Sequence, residues 1–273
     1  ILPTMQRRPM MFAHGGLAMK RLVLAVVLGY GMFASAVVAQ SPQTAPVTSP
    51  PAVAPAAKLA EIKIPTTMPD GIRYLNDPSP LVFCTKQVVQ FNDRNADMIF
   101  IGDSITQNWL GPGKAVWEAN FVPRNALDFG ISSDRTQHVL WRLENYPLGH
   151  LHPKVGVVLI GTNNKGDTPE EIAAGVKAVL AKTQSLFPGI KIILVSIMPN
   201  WRANEKMMAA NEILKTFADQ KKVYYLDMVA LMTPVGDSWK GLGPDRLHPD
   251  AAGYQLWTDA MLPLVDKLLG KSR

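Results

Sequence analysis

A chain of 273 residues with 47% hydrophobic and 18% charged positions can build a full globular core, which excludes a disordered or fibrous protein. Its formal charge of +6 is no argument for nucleic-acid binding, because Arg7, Arg8, Lys20 and Arg21 stand before residue 40 without any acid, leaving +2 on residues 40–273. The single cysteine, Cys84, excludes an intramolecular disulfide framework and reads as a small buried hydrophobe.

Met19-Lys20-Arg21 opens an uncharged run over residues 22–39 that closes on Ala34-Ser35-Ala36-Val37-Val38-Ala39. A charged start, an apolar middle and a small-residue end are the pattern of a secretory signal peptide, with residues 1–18 upstream of it. The run also approaches the shortest length that spans a bilayer, so an uncleaved anchor is the competing reading. Gly29, Gly31 and the small-residue end favour cleavage after Ala36 or Ala39. The expected product is secreted or periplasmic, with no stable membrane insertion. Residues 40–58, rich in Pro, Ala, Ser and Thr, read as an extended linker. Residues 59–273 are then a single folded domain. Its first part, with prolines at 65, 69, 78 and 80, reads as an irregular lead-in carrying a short helix at 85–91.

Met98-Ile99-Phe100-Ile101 is a continuous apolar run that stops at Gly102-Asp103-Ser104, the pattern of a buried strand presenting a hydroxyl at its carboxyl end. An amphipathic piece at 116–121 and a strand at 125–129, closed by Gly130, come next. A helix is predicted over 135–146 from Val139, Leu140 and Leu143 on one face. The strand at 154–160 ends in Gly161-Thr162-Asn163-Asn164. Thr168-Pro169-Glu170-Glu171 is a helix start with an N-cap, a proline at N1 and a capping-box glutamate, and the helix runs to 186. A strand at 190–197, a helix at 203–220, a strand at 223–227 and a last helix at 251–269 complete the alternation. Five strands alternating with helices predict an α/β protein with a parallel sheet and helices on both faces.

In such a sheet every strand points the same way, so the strand-end residues Ser104, Gly130 and Asn163 and the Asp245/His248 loop gather on one edge. A serine there can attack a carbonyl while its own amide helps to hold the oxyanion, although it also suits a plain N-cap. Asp245 and His248, three residues apart in a turn, present both side chains to one face, so the acid can orient the imidazole as a base for the serine. The alternative is a loop histidine with an incidental acid. Gly130 offers an unobstructed amide and Asn163 a side-chain N–H, completing an oxyanion hole with Ser104; a simple turn and an Asx turn are their alternatives. His14, His138, His150 and His152 read as surface or structural. Asp103, which reads chiefly as orienting its loop, joins Asn164, Trp109 and Trp201 as candidate substrate contacts. Trp109, Trp201 and Trp239 fall in strand-end loops where an indole can stack on a sugar ring or simply pack. There is no H-E-x-x-H, phosphate-binding glycine loop or paired Cys/His set, so no metal or cofactor is expected.

Gly102-Asp103-Ser104, Gly130, Gly161-Thr162-Asn163-Asn164 and Asp245-Arg246-Leu247-His248-Pro249 resemble, in order and spacing over residues 97–269, the four blocks of the SGNH (GDSL) hydrolase superfamily. Residues 130–136 with Val139-Leu140-Trp141-Arg142-Leu143 are similar to its platelet-activating-factor acetylhydrolase-like branch. The resemblance implies a flavodoxin-like three-layer α/β/α sandwich with a shallow, open site. It also implies Ser104 as nucleophile, His248 as base, Asp245 as its orienting acid, and Ser104, Gly130 and Asn163 as oxyanion donors. Asn164 stands where many members carry Asp. The expectation is an exported serine ester hydrolase for short acyl groups, acetyl above all, on small-molecule or glycan esters. A lysophospholipid or other lipid esterase is the alternative enzyme, and a non-catalytic glycan-binding envelope protein the alternative of another class.

Overall fold

The computed structural model describes residues 79–91 and 94–270. The expected export signal, the linker and the lead-in up to residue 78 lie outside the described residues. β1 (Met98–Gly102), β2 (Ala126–Gly130), β3 (Val155–Leu159), β4 (Lys191–Val195) and β5 (Val223–Leu226) pair in parallel as one sheet, in the order β2-β1-β3-β4-β5. Every residue of β1, β2 and β3 is buried. Strands covered on both faces have no polar side to show, which is why they read as unbroken apolar runs.

Alternation along the strands divides the core into two layers. Ile99, Ile101, Leu127 and Phe129 face one layer, which α1 (Ser79–Val89), α4 (Thr136–Asn145), α5 (Pro169–Leu186) and α6 (Asn204–Lys215) fill with Cys84, Val139, Val176 and Leu214. Met98 and Phe100 face the other, filled from α2 (Ser104–Gln107), α3 (Lys114–Asn120) and α7 (Ala251–Leu269) by Ile105, Trp117, Trp257 and Val265. The result is the expected three-layer α/β/α sandwich on a five-stranded parallel sheet. β2 lies on one side of β1 and β3 on the other, so the chain changes direction across the sheet at β1. The crevice beyond the carboxyl ends of β1 and β3 is therefore the place where such sheets bind ligands.

Local signals set most helix ends. Thr168 accepts from the Glu171 amide while the Glu171 side chain returns to the Thr168 amide, and Pro169 takes the first helical position. Asp250 caps α7 through the Gly253 amide, and Gly270, at φ 68°, ends it in the left-handed region. Two helices differ from expectation. α1 begins at Ser79 rather than 85, because Pro80 sits in its first turn, where a missing N–H costs nothing. α6 stops at Lys215 instead of 220 because Asp219 gathers the amides of Lys221, Lys222 and Val223 and turns the chain into β5. Those three amides hold the Asp219 carboxyl down at about 2. A two-residue antiparallel ladder, β6 (Pro234–Val235) with β7 (Ser238–Trp239), interrupts what reads in sequence as a plain loop.

Candidate active site

β1 ends against its own turn. A Cβ on Gly102 would lie 2.1 Å from Thr106 Oγ1 and 2.3 Å from the Leu159 carbonyl oxygen, so close approach, and not a left-handed backbone, demands the glycine. The turn places Ser104 at the first position of α2. Asp103, fully buried, accepts from the Ile105 amide at 2.9 Å, and the Tyr254 hydroxyl of α7 donates to the Ile105 carbonyl at 2.6 Å. The serine is thus held from both sides of the sheet edge.

From the far end of the chain, the loop before α7 brings His248 over this turn. Ser104 Oγ and His248 Nε2 are 2.8 Å apart, across 144 residues of sequence. On the other ring nitrogen, His248 Nδ1 and Asp245 Oδ2 are 2.5 Å apart. A carboxylate only accepts, so Nδ1 carries the proton and Nε2 is left to accept from the serine hydroxyl. Asp245 Oδ1 takes the amides of Leu247 and His248 at 3.1 and 3.0 Å, which fixes acid and imidazole within one tight turn. Burial works to raise the Asp245 carboxyl, but the hydrogen bonds from the His248 ring and these amides outweigh it, leaving it below its ordinary value. Arg246 between them adopts φ 53°, donates to Asp237 at 2.6 Å, and accepts the Trp201 amide at 3.4 Å.

The donors around the serine differ from expectation at one position. The Gly130 amide is already given to Asp128 Oδ1 at 2.8 Å, so it is not a free oxyanion donor. Gly130 is a glycine because a Cβ there would meet the Gln107 nitrogen at 2.4 Å. In the loop that follows, Ile131 donates to the Gly102 carbonyl, Ser132 to Gln107 Oε1, Asp134 to the Ile131 carbonyl, Arg135 to His138 Nδ1 and Thr136 to Asn164 Oδ1. Among the described residues, the Ser133 amide alone in this stretch has no acceptor, and Ser133 stands at φ 62°. Residue type alone does not mark that serine. The readable signal is Asp128 two residues before Gly130, the spacing at which an acid takes a following amide. Asn163 Nδ2 donates to the Asp134 carbonyl at 2.9 Å and reaches Asp103 Oδ2 only at 3.4 Å, so its second N–H is weakly held.

Three of the remaining candidates are withdrawn from substrate by burial. Trp109 is 0% exposed, its ring 4.5 Å from Tyr254, 4.8 Å from Trp257 and 5.1 Å from Phe121, and it packs the core. Asn164 is buried among Thr136, Gln137 and Asp167, tying the loop after β3 to the start of α4. Asp103 has no exposed surface and orients the serine turn. Trp201 is different: it is 55% exposed. Trp239 is half-buried in β7.

Burial raises the Asp103 carboxyl from 3.8 to about 6, against the pull of the Ile105 amide and of the nearby His248 ring. An acid whose folded value lies above its unfolded one favours the protonated native state. The stability it confers is complete below pH 3.8 and is lost as pH rises through about 6. Replacing Asp103 with Asn removes that loss. Between pH 4 and 7 the variant should gain about 3 kcal/mol relative to the parent, from about two units at ~1.4 kcal/mol each. Urea midpoints measured across this range check it; parallel pH curves for the two proteins would contradict it.

A family model for the GDSL-like lipase/acylhydrolase family matches residues 100–256, more than half the chain and every loop of the site. The chain belongs to the GDSL-like lipase/acylhydrolase family. This GDSL-family chain is 37% identical over 145 residues to platelet-activating factor acetylhydrolase IB subunit alpha1 of Homo sapiens, covering 51% of the chain and 62% of that relative. The match thus spans less than two thirds of the relative's length. Among solved structures, a GDSL-like lipase from Bacteroides thetaiotaomicron is similar with a TM-score of 0.57 at 18% identity, over 71% of this chain and 99% of that one. A carbohydrate esterase family 3 protein from Talaromyces cellulolyticus gives 0.50 at 15% identity, over 65% and 100%. At such identities the GDSL-family chain shares their fold.

Proposed function

We propose that this chain is a serine carboxylic-ester hydrolase working through an acyl-enzyme. The observation that carries the proposal is the Ser104–His248–Asp245 chain of hydrogen bonds. Ser104 Oγ attacks the ester carbonyl while His248 Nε2 takes its proton. The tetrahedral oxyanion sits against the amides of Ser104 and Ser133 and the Asn163 side chain. As the C–O bond to the alcohol breaks, His248 returns the proton to the leaving oxygen. Water, deprotonated by the same nitrogen, then releases the acid and restores Ser104.

The acyl group is short, acetyl above all. The exposed or half-buried positions near the serine (Ser132, Ser133, Asn163) are polar and give a long acyl chain little apolar surface. The curated relatives are named as acetylhydrolases, which supports the same reading. On the alcohol side, Trp201 exposes a rigid indole whose amide is tied to the catalytic loop through Arg246, with the Arg202 guanidinium 5.9 Å from its ring centre. A flat, exposed aromatic surface with the Arg202 guanidinium beside it suits a sugar ring better than a lipid tail. Export rests on the pattern of residues 19–39, which lie outside the described residues; no described helix is long and apolar enough to cross a membrane.

The proposal is tested with esters on the parent protein. p-Nitrophenyl acetate should be hydrolysed faster than the decanoate, and a serine-directed fluorophosphonate should label Ser104. Trp201→Ala should raise KM for acetylated xylo-oligosaccharides about tenfold, a loss of ~1.4 kcal/mol of ring stacking, while leaving p-nitrophenyl acetate unchanged. Faster turnover of the decanoate would favour a lipid ester, and glycan binding without turnover or labelling would favour a binding protein.

A further inference from the structure

Arg142 on α4 is a fully buried cation that the proposed chemistry does not use directly. Its side chain and that of Asp134 are both 0% exposed, with Arg142 Nε 2.8 Å from Asp134 Oδ2. The guanidinium lies 4.3 Å over the Phe129 ring, donates to the Phe129 carbonyl at 2.8 Å and to the Gly102 carbonyl at 3.2 Å, and touches Cys84 Sγ at 3.7 Å. Burial opposes its charge, but Asp134 outweighs burial and holds it above its ordinary value.

Stability is a poor reason for such a group, since apolar residues of similar volume commonly hold a core as well as a buried ion pair does. What Arg142 touches supplies a better one. Gly102 is the last residue of β1, two before the nucleophile. Phe129 is the last residue but one of β2, just ahead of the loop that carries Ser133. Asp134 follows Ser133, and its own carbonyl holds the Asn163 amide. A planar, forked cation reaches all three at once; a point charge cannot. The loop at 131–135 is neither helix nor strand; the Ile131 and Ser132 amides tie its start to Gly102 and Gln107, and the Arg142 fork adds the tie at Asp134, next to Ser133.

We infer that Arg142 is a positioning residue: through Gly102, Phe129 and Asp134 it sets the spacing between the Ser104 turn and the oxyanion donors Ser133 and Asn163. The inference rests on the ester-hydrolase reading above. It predicts a defect in transition-state binding with little change in substrate binding. Arg142→Lys retains the charge beside Asp134 but loses the fork. Its kcat on p-nitrophenyl acetate should fall about 10- to 100-fold, as for a misplacement on the order of 1 Å, with KM unchanged. Affinity for an alkyl trifluoromethyl ketone, whose hemiketal oxyanion with Ser104 uses the same donors, should fall by the same factor. The double variant Arg142→Met/Asp134→Leu, which leaves no lone buried charge, should fold and show the same split. Rates are counted per phosphonate-titrated site, so misfolded protein does not enter. Wild-type kcat per site in either folded variant overturns the inference, as does failure of both to fold, which would make Arg142 a requirement of the fold alone. A parent without ester turnover counts against the hydrolase reading itself and is seen before any variant is compared.

Discussion

Replacing Ser104 with alanine should lower kcat on p-nitrophenyl acetate by on the order of 10⁶, close to the loss seen when a triad serine is removed elsewhere. In the proposed reaction this hydroxyl forms the acyl bond, and among the described residues its side chain bonds to His248 alone. The Ser104 backbone, held by the Asp103 cap and the Tyr254 hydroxyl, does not depend on that side chain. Folding and the urea midpoint should therefore be unchanged. The oxyanion donors survive the substitution, so a residual rate above water remains, driven by water attack on a bound ester. Retention of the parental rate, or loss of rate together with loss of cooperative unfolding, would remove Ser104 from the reaction.

Asp245→Asn should cost about 10³–10⁴ in kcat without moving the loop. An asparagine oxygen keeps the amides of Leu247 and His248 that now bond to Asp245 Oδ1. The other atom becomes an NH₂, a donor facing Nδ1, which can then be only an acceptor. The imidazole proton moves to Nε2, where it points at the serine hydroxyl and cannot accept from it. The same site shows why acid inactivation does not begin at Asp245. Its folded carboxyl titrates below the unfolded value, so its contribution is present above pH 3.8 and is lost only as pH falls through the lowered value. Steady-state kinetics with titrated active sites measure the effect; a kcat within tenfold of the parent would show that the acid does not orient the base.

The candidate site was legible where its logic is local or topological. Gly102-Asp103-Ser104 at a strand end and Asp245 three residues before His248 are short patterns, and a parallel sheet brings strand ends to one edge whatever the intervening helices do. For Trp109 the sequence leaves stacking and packing both open, because its neighbours Asn108 and Gly111 describe a loop. Phe121, Tyr254 and Trp257 bury it from elements that residue type alone does not place. Gly130 was misjudged for a related reason: a glycine amide looks free until the acceptor that takes it is found.

The order of strands and helices and the two-sided burial of the sheet were determined by the amino-acid sequence, because apolar periodicity and capping act over a few residues; the short patterns around Ser104 and Asp245/His248 marked the residues proposed as nucleophile, base and acid. Which amides remain free, which indole faces water and what the buried Arg142 holds were decided only by tertiary structure. Exposure and hydrogen-bond supply depend on groups contributed by other elements, as when Asp134 and Gly102 meet one guanidinium across 32 residues of chain or His248 meets Ser104 across 144.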